Sequence, residues 1–495
     1  MKVYHDIETL FESWKKRKLT LFGKCSVINS LALAKLIYTA SILESPDGEF
    51  IKKINRLVFN FIWNKTDRIK RNTIIGHIKD GGLGITDVES KIKALKAAWV
   101  FRLKESNHCI KSYVNSFCIP NNIDLDYLIL TTDYRIQNNE IISKMPLFYK
   151  QVFACFNTCK EIQGNPSTVS LLKEPIWSNM RFLHKGKSIF FPNWSKSNIL
   201  FVKDLFSAKG ILKSPDEIIR ILENKSNWIC EYKIIRAIFK KYEKQYDFSL
   251  NIYVKENSQN SRNRDTFTTK YFYDILLKKK FTTPAIQIKY TKEFNLSKQD
   301  WENIYMNKIY RIKDKKIAEF NYKLINNILS NNYFVSKIEK NSAFLCKGCP
   351  QVENTRHLIS ECKNVKNLWK NISNYIGFEV KWKHVLFGFY SVQNDTTYLY
   401  NLLLSSVALK IYKYKMYCRI EKIVESYEGI LFHLKLCLQD NSEILSVSDN
   451  KKYILPFSKK LISKIVVKVY NILYTYLHSI SLLCILLTYN FIFVK

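Results

Sequence analysis

One short segment of this chain constrains its fold more than any other. Four side chains of metal-ligand type lie within residues 346–362 with the spacing C-x2-C-x7-H-x4-C; they are Cys346, Cys349, His357 and Cys362. A cysteine pair two residues apart can bind one ion from a tight turn, and Gly348 would ease that turn by adopting a left-handed backbone. Four protein ligands leave no open position, so we expect one structural zinc ion and no metal catalysis. The alternative is a set of core cysteines with a capping histidine.

The charge of the chain points to a polyanionic partner. Lysine and arginine number 78 against 43 aspartates and glutamates, which gives a formal net charge of +35 over 495 residues. A chain this basic is expected to bind nucleic acid or an anionic membrane surface. Base composition is a second explanation, because residues with A/T-rich codons (Lys, Asn, Ile, Tyr, Phe) are abundant while glycine and proline number 13 and 10. The sequence leaves both explanations open.

Composition and cysteine usage indicate a folded intracellular protein. With 47% hydrophobic residues the chain can bury a core, which excludes wholesale disorder and a fibrous protein. The twelve cysteines are scattered and do not form the dense framework of a small secreted domain. The charged N-terminus has no apolar signal region. These observations predict a reducing, intracellular setting.

Hydrophobic periodicity predicts a mainly α fold. Between residues 9 and 45 apolar side chains recur at three- and four-residue steps, as on one buried face of a helix. After the glycine-rich loop at 80–84, Asp87 is placed to cap a helix that continues to about Glu105. Residues 108–260 have a less regular pattern, which indicates helices mixed with extended pieces, and the polar stretch 259–265 is typical of a linker.

The C-terminal residues allow several interpretations. Residues 469–494 carry no fixed charge, and the stretch is long enough to span a bilayer, although polar side chains interrupt it. It could be a tail anchor, a buried helix or terminal sequence under weak selection. A membrane is therefore the less favoured partner.

Clusters of basic residues are the candidate nucleic-acid contacts. Cations bind the phosphate backbone, and an aromatic ring beside them can stack on a base. The candidates are Trp14, Lys15, Lys16, Arg17 and Lys18, then Arg68, Lys70 and Arg71, and finally Lys363 and Lys366 beside the cysteine–histidine segment. The alternative for each cluster is a solvated helix surface, with Trp14 packed in the core.

Several of these stretches resemble, in family order, the C-terminal region of reverse transcriptases from LINE-type (non-LTR) retrotransposons. Residues 14–24 and 36–38 are similar to the segment that follows the polymerase core. Residues 59–63, 70–73, 81–84 and 92–99 are similar to the part after it, and residues 344–349, 357–362 and 368–369 to the reverse-transcriptase zinc-binding domain. The resemblance covers about residues 5–440.

The resemblance implies a fold and a set of partners. It implies a mainly α protein with helical thumb-like and linker modules and a small CCHC zinc knuckle, which binds element RNA and target DNA. The implied segments are a thumb-like region at 1–110, a linker at 111–265, a helical region with the zinc-binding domain at 266–375 (knuckle 346–362), and a C-terminal helical region with an apolar tail at 376–495.

Catalytic motifs of that family are missing from this sequence. Its polymerase core uses an Asp-Asp pair to hold two metal ions, and no such pair occurs in the chain. Nucleophile, phosphate-loop and dinucleotide motifs are missing as well, and little sequence precedes Trp14. We therefore expect a non-enzymatic C-terminal remnant, truncated relative to the family. The alternatives are an accessory subunit that acts in trans with a reverse-transcriptase core, a tail-anchored membrane protein, and a decayed reading frame.

Overall fold

The structure is a computed structural model of the chain, and it describes most of the residues before 435. The described residues are 2–64, 66–105, 108–133, 139–163, 171–207, 209–223, 227–245, 268–338, 343–391 and 394–434. The predicted linker at 259–265 and the apolar segment at 469–494 lie outside the described residues.

The described residues are mainly α-helical, which confirms the predicted fold class. Two short strands, β1 (Leu183–His184) and β2 (Lys187–Ser188), form an antiparallel hairpin in which Leu183 pairs with Ser188. Among the described residues of 108–260, helices are the most frequent element, and the extended pieces that we expected are limited to this hairpin and isolated bridges such as Phe206 with Leu212.

Two compact units make up the chain, and their sequences interleave. The first unit contains Met1–Leu19, Gly23–Gly76 and Leu83–Thr282. The second unit contains Thr20–Phe22, His77–Gly82 and Thr283–Lys495. The four-segment division expected from the resemblance stays a prediction.

The described helices that precede Thr282 are short to medium in length. They are α1 (Lys2–Lys15), α2 (Leu21–Val27), α3 (Leu33–Ile42), α4 (Gly48–Trp63), α5 (Arg71–Ile74), α6 (Val88–Glu105), α7 (His108–Ser116), α8 (Leu125–Leu130), α9 (Glu140–Lys144), α10 (Leu147–Gln163), α11 (Pro192–Lys196), α12 (Pro215–Leu222), α13 (Trp228–Gln245) and α14 (Thr269–Lys280). A π-helical turn, Ile28–Ala32, joins α2 to α3, and 3-10 turns lie at Ile78–Asp80, Ile119–Asn121 and Val202–Leu205.

Polar caps explain where two of these helices begin. Asp47 Oδ1 accepts a hydrogen bond from the Phe50 backbone N–H at 2.6 Å, at the start of α4. Asp87 Oδ2 accepts one from Ser90 N–H at 3.0 Å, at the start of α6, which confirms the predicted cap. Each carboxylate satisfies a backbone donor that the first turn of a helix leaves without a partner.

The core of the first unit forms around α6, which packs against α10 and α14. Trp177 and Trp194 are both fully buried, and each indole N–H has an acceptor. Trp177 Nε1 donates to the Ile199 carbonyl at 2.8 Å, and Trp194 Nε1 donates to Glu231 Oε2 at 2.7 Å. These bonds let large rings enter the core without leaving a buried polar group unpaired.

One helical stretch in the described part of the chain, Leu21–Ile42, is long and apolar enough to cross a membrane. Its side chains at Ile28, Ala32 and Leu33 are completely buried inside the protein. A core helix passes the same length and composition test, so this stretch is weak support for a membrane segment.

The described helices that follow Thr283 belong to the second unit. They are α15 (Ala285–Phe294), α16 (Lys298–Tyr305), α17 (Lys315–Ile325), α18 (Asn332–Ser336), α19 (Lys363–Ile376), α20 (Trp382–Phe387) and α21 (Asp395–Ile420). Further π-helical turns lie at Met306–Tyr310 and His357–Glu361. Within this unit the Tyr322 hydroxyl donates to the Gly81 carbonyl at 3.3 Å.

We expect Gly81→Ala to destabilise the protein more than Gly84→Ala. Both glycines have positive φ, +90° and +68°, so each alanine costs about 1–2 kcal/mol of backbone strain. A Cβ at Gly81 would also lie 2.7 Å from the Tyr305 hydroxyl and 2.8 Å from Pro284 Cγ, whereas nothing lies within 4 Å of one at Gly84. The overlap adds about 1–3 kcal/mol. Chemical unfolding of both variants measures the difference, and equal losses would show that the close approach is absent.

Candidate metal centre

A short antiparallel bridge holds the first pair of ligands. Leu345 and Val352 form this isolated bridge, and the Cys346 backbone N–H donates to the Gln351 carbonyl at 2.8 Å. The chain between them turns tightly, which brings Cys346 and Cys349 to the same side. The tight turn expected from the C-x2-C spacing is therefore present.

The expected role of Gly348 was wrong. Its φ is outside the left-handed region, so the turn does not depend on the conformational freedom of glycine. A Cβ at this position would instead lie 3.2 Å from both Asn364 Nδ2 and Glu425 Oε2. Two polar side chains from elsewhere in the unit therefore approach the turn closely, and a larger residue at 348 would require them to shift.

The second pair of ligands lies at the two ends of a π-helical turn. His357 begins the turn, and its backbone N–H donates to Asn354 Oδ1 at 2.8 Å. The Cys362 backbone N–H donates to the His357 carbonyl at 2.9 Å, and Cys362 then precedes the first residue of α19. Trp369 Nε1 on α19 donates to the Ile359 carbonyl at 2.8 Å, which fixes the turn against the helix.

The four predicted ligand residues come together. Their ligand atoms all lie within 4.8 Å of one another, so the group could hold a metal ion. Cys346 Sγ is 3.8 Å from Cys362 Sγ, and Cys349 Sγ is 3.3 Å from His357 Nε2. Cys349 is partly exposed and the other three are buried.

The two buried thiols have opposite pKa shifts. The hydrogen bond that joins them raises the pKa of Cys346 and lowers the pKa of Cys362, because one sulfur keeps the proton that the other accepts. Burial adds to the rise at Cys346, and His357 contributes a smaller lowering at Cys362. The lowered pKa of Cys362 favours its thiolate, which is the form that binds a metal ion.

Four charged residues surround Cys346, and sequence reasoning missed all of them. Lys415 on α21 is fully buried; its Nζ lies 3.0 Å from Glu425 Oε2 and 3.7 Å from Cys346 Sγ. Arg419, one turn further along α21, pairs with Glu353, whose side chain is also buried. No local spacing links Lys415, Arg419 and Glu425 to the cysteines, since these three residues lie far beyond Cys362 in the sequence.

A second group of possible ligands shares one cysteine with the first. Cys346, Glu353 and Glu425 also bring their ligand atoms within 4.8 Å of one another. Lys415 and Arg419 already neutralise these two carboxylates, however. The cysteine–histidine group is therefore the better candidate for a metal, and the carboxylates belong to its surroundings.

The first basic cluster lies at the end of α1. Lys16 and Lys18 are exposed and form no ion pair with any described residue. Lys15 pairs with Glu12 at 2.5 Å, and the Arg17 guanidinium lies 4.3 Å from the centre of the half-buried Trp14 ring. The arginine therefore covers the indole, and Lys16 and Lys18 are the side chains most available to a ligand.

The second basic cluster lies at the start of α5, and all three of its cations are exposed; they are Arg68, Lys70 and Arg71. Arg71 pairs with Asp67 at 2.7 Å and lies 4.6 Å from the centre of the Phe59 ring. Phe59, Phe61 and Trp63 are themselves buried, as expected for core side chains rather than a stacking surface.

The third basic cluster lies on α19, directly after Cys362. Lys363 and Lys366 are exposed. Lys366 and Lys370 line an open cleft of about 770 Å³, together with Trp369. The cleft also includes the carboxylates Glu361 and Glu379. Because both cations and carboxylates line the cleft, its lining does not identify it as an anion-binding site.

Comparison with known proteins gives one informative similarity. No protein-family model matches the chain. A transposon protein of Xenopus laevis, the Transposon TX1 uncharacterized 149 kDa protein, is 24% identical over 182 residues. The similarity indicates a transposon-related origin. The aligned part covers 35% of this chain and 14% of the Xenopus protein, so the chain matches only a small part of that relative.

Proposed function

We propose that this chain is a zinc- and nucleic-acid-binding part of a LINE-type reverse transcriptase. The observation that carries the proposal is the convergence of Cys346, Cys349, His357 and Cys362 on one point. The order and spacing of these residues resemble the zinc-binding domain of that family, and the transposon similarity supports the same origin. We place the protein inside the cell, in the nucleus or cytoplasm, with RNA or DNA as its partner.

Zinc is the metal that this donor set fits best. Three sulfurs and one imidazole nitrogen are a common structural zinc set, with zinc–sulfur bonds of about 2.3 Å. Two sulfurs at corners of a tetrahedron with such arms lie about 3.8 Å apart, and Cys346 Sγ and Cys362 Sγ are separated by 3.8 Å. When bound, zinc would cross-link the turn at 346–349 to the start of α19, which is a structural role.

Nucleic acid is the partner that the surface charge favours. The chain has a formal net charge of +35, and the candidate lysines Lys16, Lys18, Lys363 and Lys366 are exposed in the structure. Exposed ammonium groups bind phosphates by releasing counterions, so this binding is steeply salt-dependent and has little sequence preference. We propose no catalytic activity for the chain itself, because the Asp-Asp pair of the polymerase family is missing from its sequence.

Titration of the zinc-loaded chain with labelled single-stranded RNA tests the proposed function. We expect log K to fall linearly with log salt, with a slope of about −0.7 for each phosphate that the protein binds. Replacing Lys16 and Lys18 together with alanine should weaken binding at every salt concentration. The slope should become shallower by about 0.7 for each phosphate that the variant no longer binds. Binding to single-stranded DNA of the same sequence then ranks the two partners.

The control is a second pair of exposed lysines in the same unit. Lys52→Ala/Lys53→Ala removes the same charge from α4, which carries neither of the predicted clusters at 14–18 and 68–71. We expect it to change affinity by less than the Lys16/Lys18 pair does. If the wild-type chain fails to bind RNA or DNA even at low salt, the proposal is wrong and the charge reflects base composition.

A further inference from the structure

A buried ammonium group faces one of the four candidate ligands. The Lys415 side chain has no solvent exposure, and its Nζ lies 3.7 Å from Cys346 Sγ, within hydrogen-bonding range for sulfur. Its other partner, Glu425, is 3% exposed, and Glu425 Oε2 lies 3.0 Å from the same Nζ. Burying two charged groups is costly, and an ion pair alone offsets that cost poorly. The position of Lys415 beside the sulfur therefore requires an explanation.

The charge of an occupied metal centre supplies that explanation. A divalent cation with three cysteine thiolates and a neutral histidine has a net charge of −1, since 2 − 3 = −1. Most of this group is buried, and an isolated buried anion is strongly unfavourable. Lys415 adds +1 at the sulfur of Cys346. Glu425 adds −1, since its Oε2 lies 3.8 Å from the same sulfur and 3.0 Å from Lys415 Nζ; the carboxylate orients the ammonium but does not help to neutralise the metal centre.

We infer that Lys415 is a positioning residue of the metal centre: it donates an N–H···S hydrogen bond to the Cys346 thiolate and places a positive charge beside that sulfur. The inference rests on the proposed metal binding and names the residue of the chain that completes it. It also links the metal to α21, because the donor is on that helix and Glu425 follows its C-terminal end.

A structural ion pair and a positioning residue predict different results when Glu425 is replaced. If Lys415 and Glu425 only stabilise each other, removal of either partner should weaken the site equally. If Lys415 serves the metal centre, Glu425→Gln leaves the ammonium in place and removes a negative charge near an anionic site. The affinity for metal should then stay the same or increase.

The test measures Co²⁺ affinity of the full-length chain by competition with a chelator. We expect Lys415→Met to weaken binding 10- to 100-fold, the usual effect of losing an outer hydrogen-bond partner of a ligand. Lys415→Arg should restore most of the affinity, and Glu425→Gln should not weaken binding. The matched control is Lys308→Met, which removes another fully buried lysine of the same unit, whose Nζ bonds to Val385 O and Ser405 Oγ.

The wavelength of the sulfur-to-cobalt charge-transfer band gives a readout that does not depend on the stability of the protein. An N–H···S bond stabilises the sulfur lone pairs, so the band should shift to longer wavelength in Lys415→Met and stay unchanged in Lys308→Met. Equal affinity and an unshifted band in Lys415→Met, with a wild-type chain that binds cobalt, would overturn this inference alone. If Lys415→Met does not fold, weaker cobalt binding by Glu425→Gln overturns the inference. A wild-type chain that binds no metal overturns the proposed function as well.

Discussion

Cys362→Ser is expected to abolish high-affinity zinc binding and the stabilisation that zinc gives the protein. Cys362 is fully buried and directly precedes α19, and its Sγ lies 3.8 Å from Cys346 Sγ. A serine hydroxyl is a poor zinc ligand at neutral pH, so the loss should exceed the 10- to 100-fold effect of an outer partner. At a free zinc concentration 1,000 times the wild-type Kd, the wild-type chain gains about 4 kcal/mol of stability. The variant should gain almost none.

The measurement compares chemical unfolding with and without zinc, together with the zinc content of the purified chain. Cys418→Ser is the control, because Cys418 is also a fully buried thiol of the second unit but is not among the four ligands. We expect Cys418→Ser to keep one bound zinc ion and the full zinc-dependent stabilisation. Equal zinc content in Cys362→Ser and the wild-type chain would show that the cysteine–histidine group is not the metal site.

The stability of the protein is expected to rise between pH 7 and pH 9 because of Lys308. Burial lowers the pKa of this lysine to about 7. Its Nζ has two acceptors, the Val385 carbonyl at 3.1 Å and Ser405 Oγ at 2.7 Å, and no carboxylate of the described residues pairs with it. A neutral amine has two N–H groups to donate, so these two acceptors serve the neutral form completely.

The sign of the effect follows from proton binding. An unfolded lysine has a pKa of about 10.4, so between pH 7 and pH 10.4 the unfolded state holds a proton that the folded state lacks. The free energy of unfolding then increases with pH, by up to about 1.4 kcal/mol for each pH unit. From pH 7 to pH 9 we expect a gain of about 2 kcal/mol relative to Lys308→Met.

Denaturant unfolding of both chains at pH 7, 8 and 9 measures this difference. Loss of the donor to the Val385 carbonyl and Ser405 Oγ would lower the stability of Lys308→Met at every pH. The relevant quantity is therefore how the difference in the free energy of unfolding between the two chains changes with pH. The cysteines and tyrosines titrate in both chains, so their effect cancels in the difference. If the free energies of unfolding of the two chains change with pH in parallel, Lys308 keeps its proton in the folded protein.

Features encoded by neighbouring residues were predictable from the sequence. The four metal ligands fall within residues 346–362, and Asp87 lies directly before the apolar pattern that it caps. Both depend on spacing along one turn or one helix, which sequence shows directly. The mainly α fold class follows from the same kind of local periodicity.

Features that join distant segments were not predictable in this way. Lys415 appears in the sequence as one of several basic residues on a helical pattern, and nothing near it distinguishes it from exposed lysines. Only the packing of α21 against the turn at His357–Glu361 brings it to Cys346. Gly348 shows the same limit, because a Cβ at this position would meet Asn364 and Glu425, which lie outside its own turn. Tertiary packing decides these contacts, and a single sequence does not contain them in readable form.

The interleaving of the two units has a consequence for how this protein can be divided and how it is made. The loop at His77–Gly82 belongs to the second unit, where Gly81 accepts a hydrogen bond from Tyr322, more than two hundred residues later in the chain. A fragment that begins at Thr283 would lack the Gly81 carbonyl that accepts this hydrogen bond. During synthesis the loop emerges long before its partners, so the second unit cannot be completed until most of the chain has been translated. Expression of the second unit should therefore succeed only when the loop is supplied with it, for example by joining residues 77–82 to the fragment that begins at Thr283.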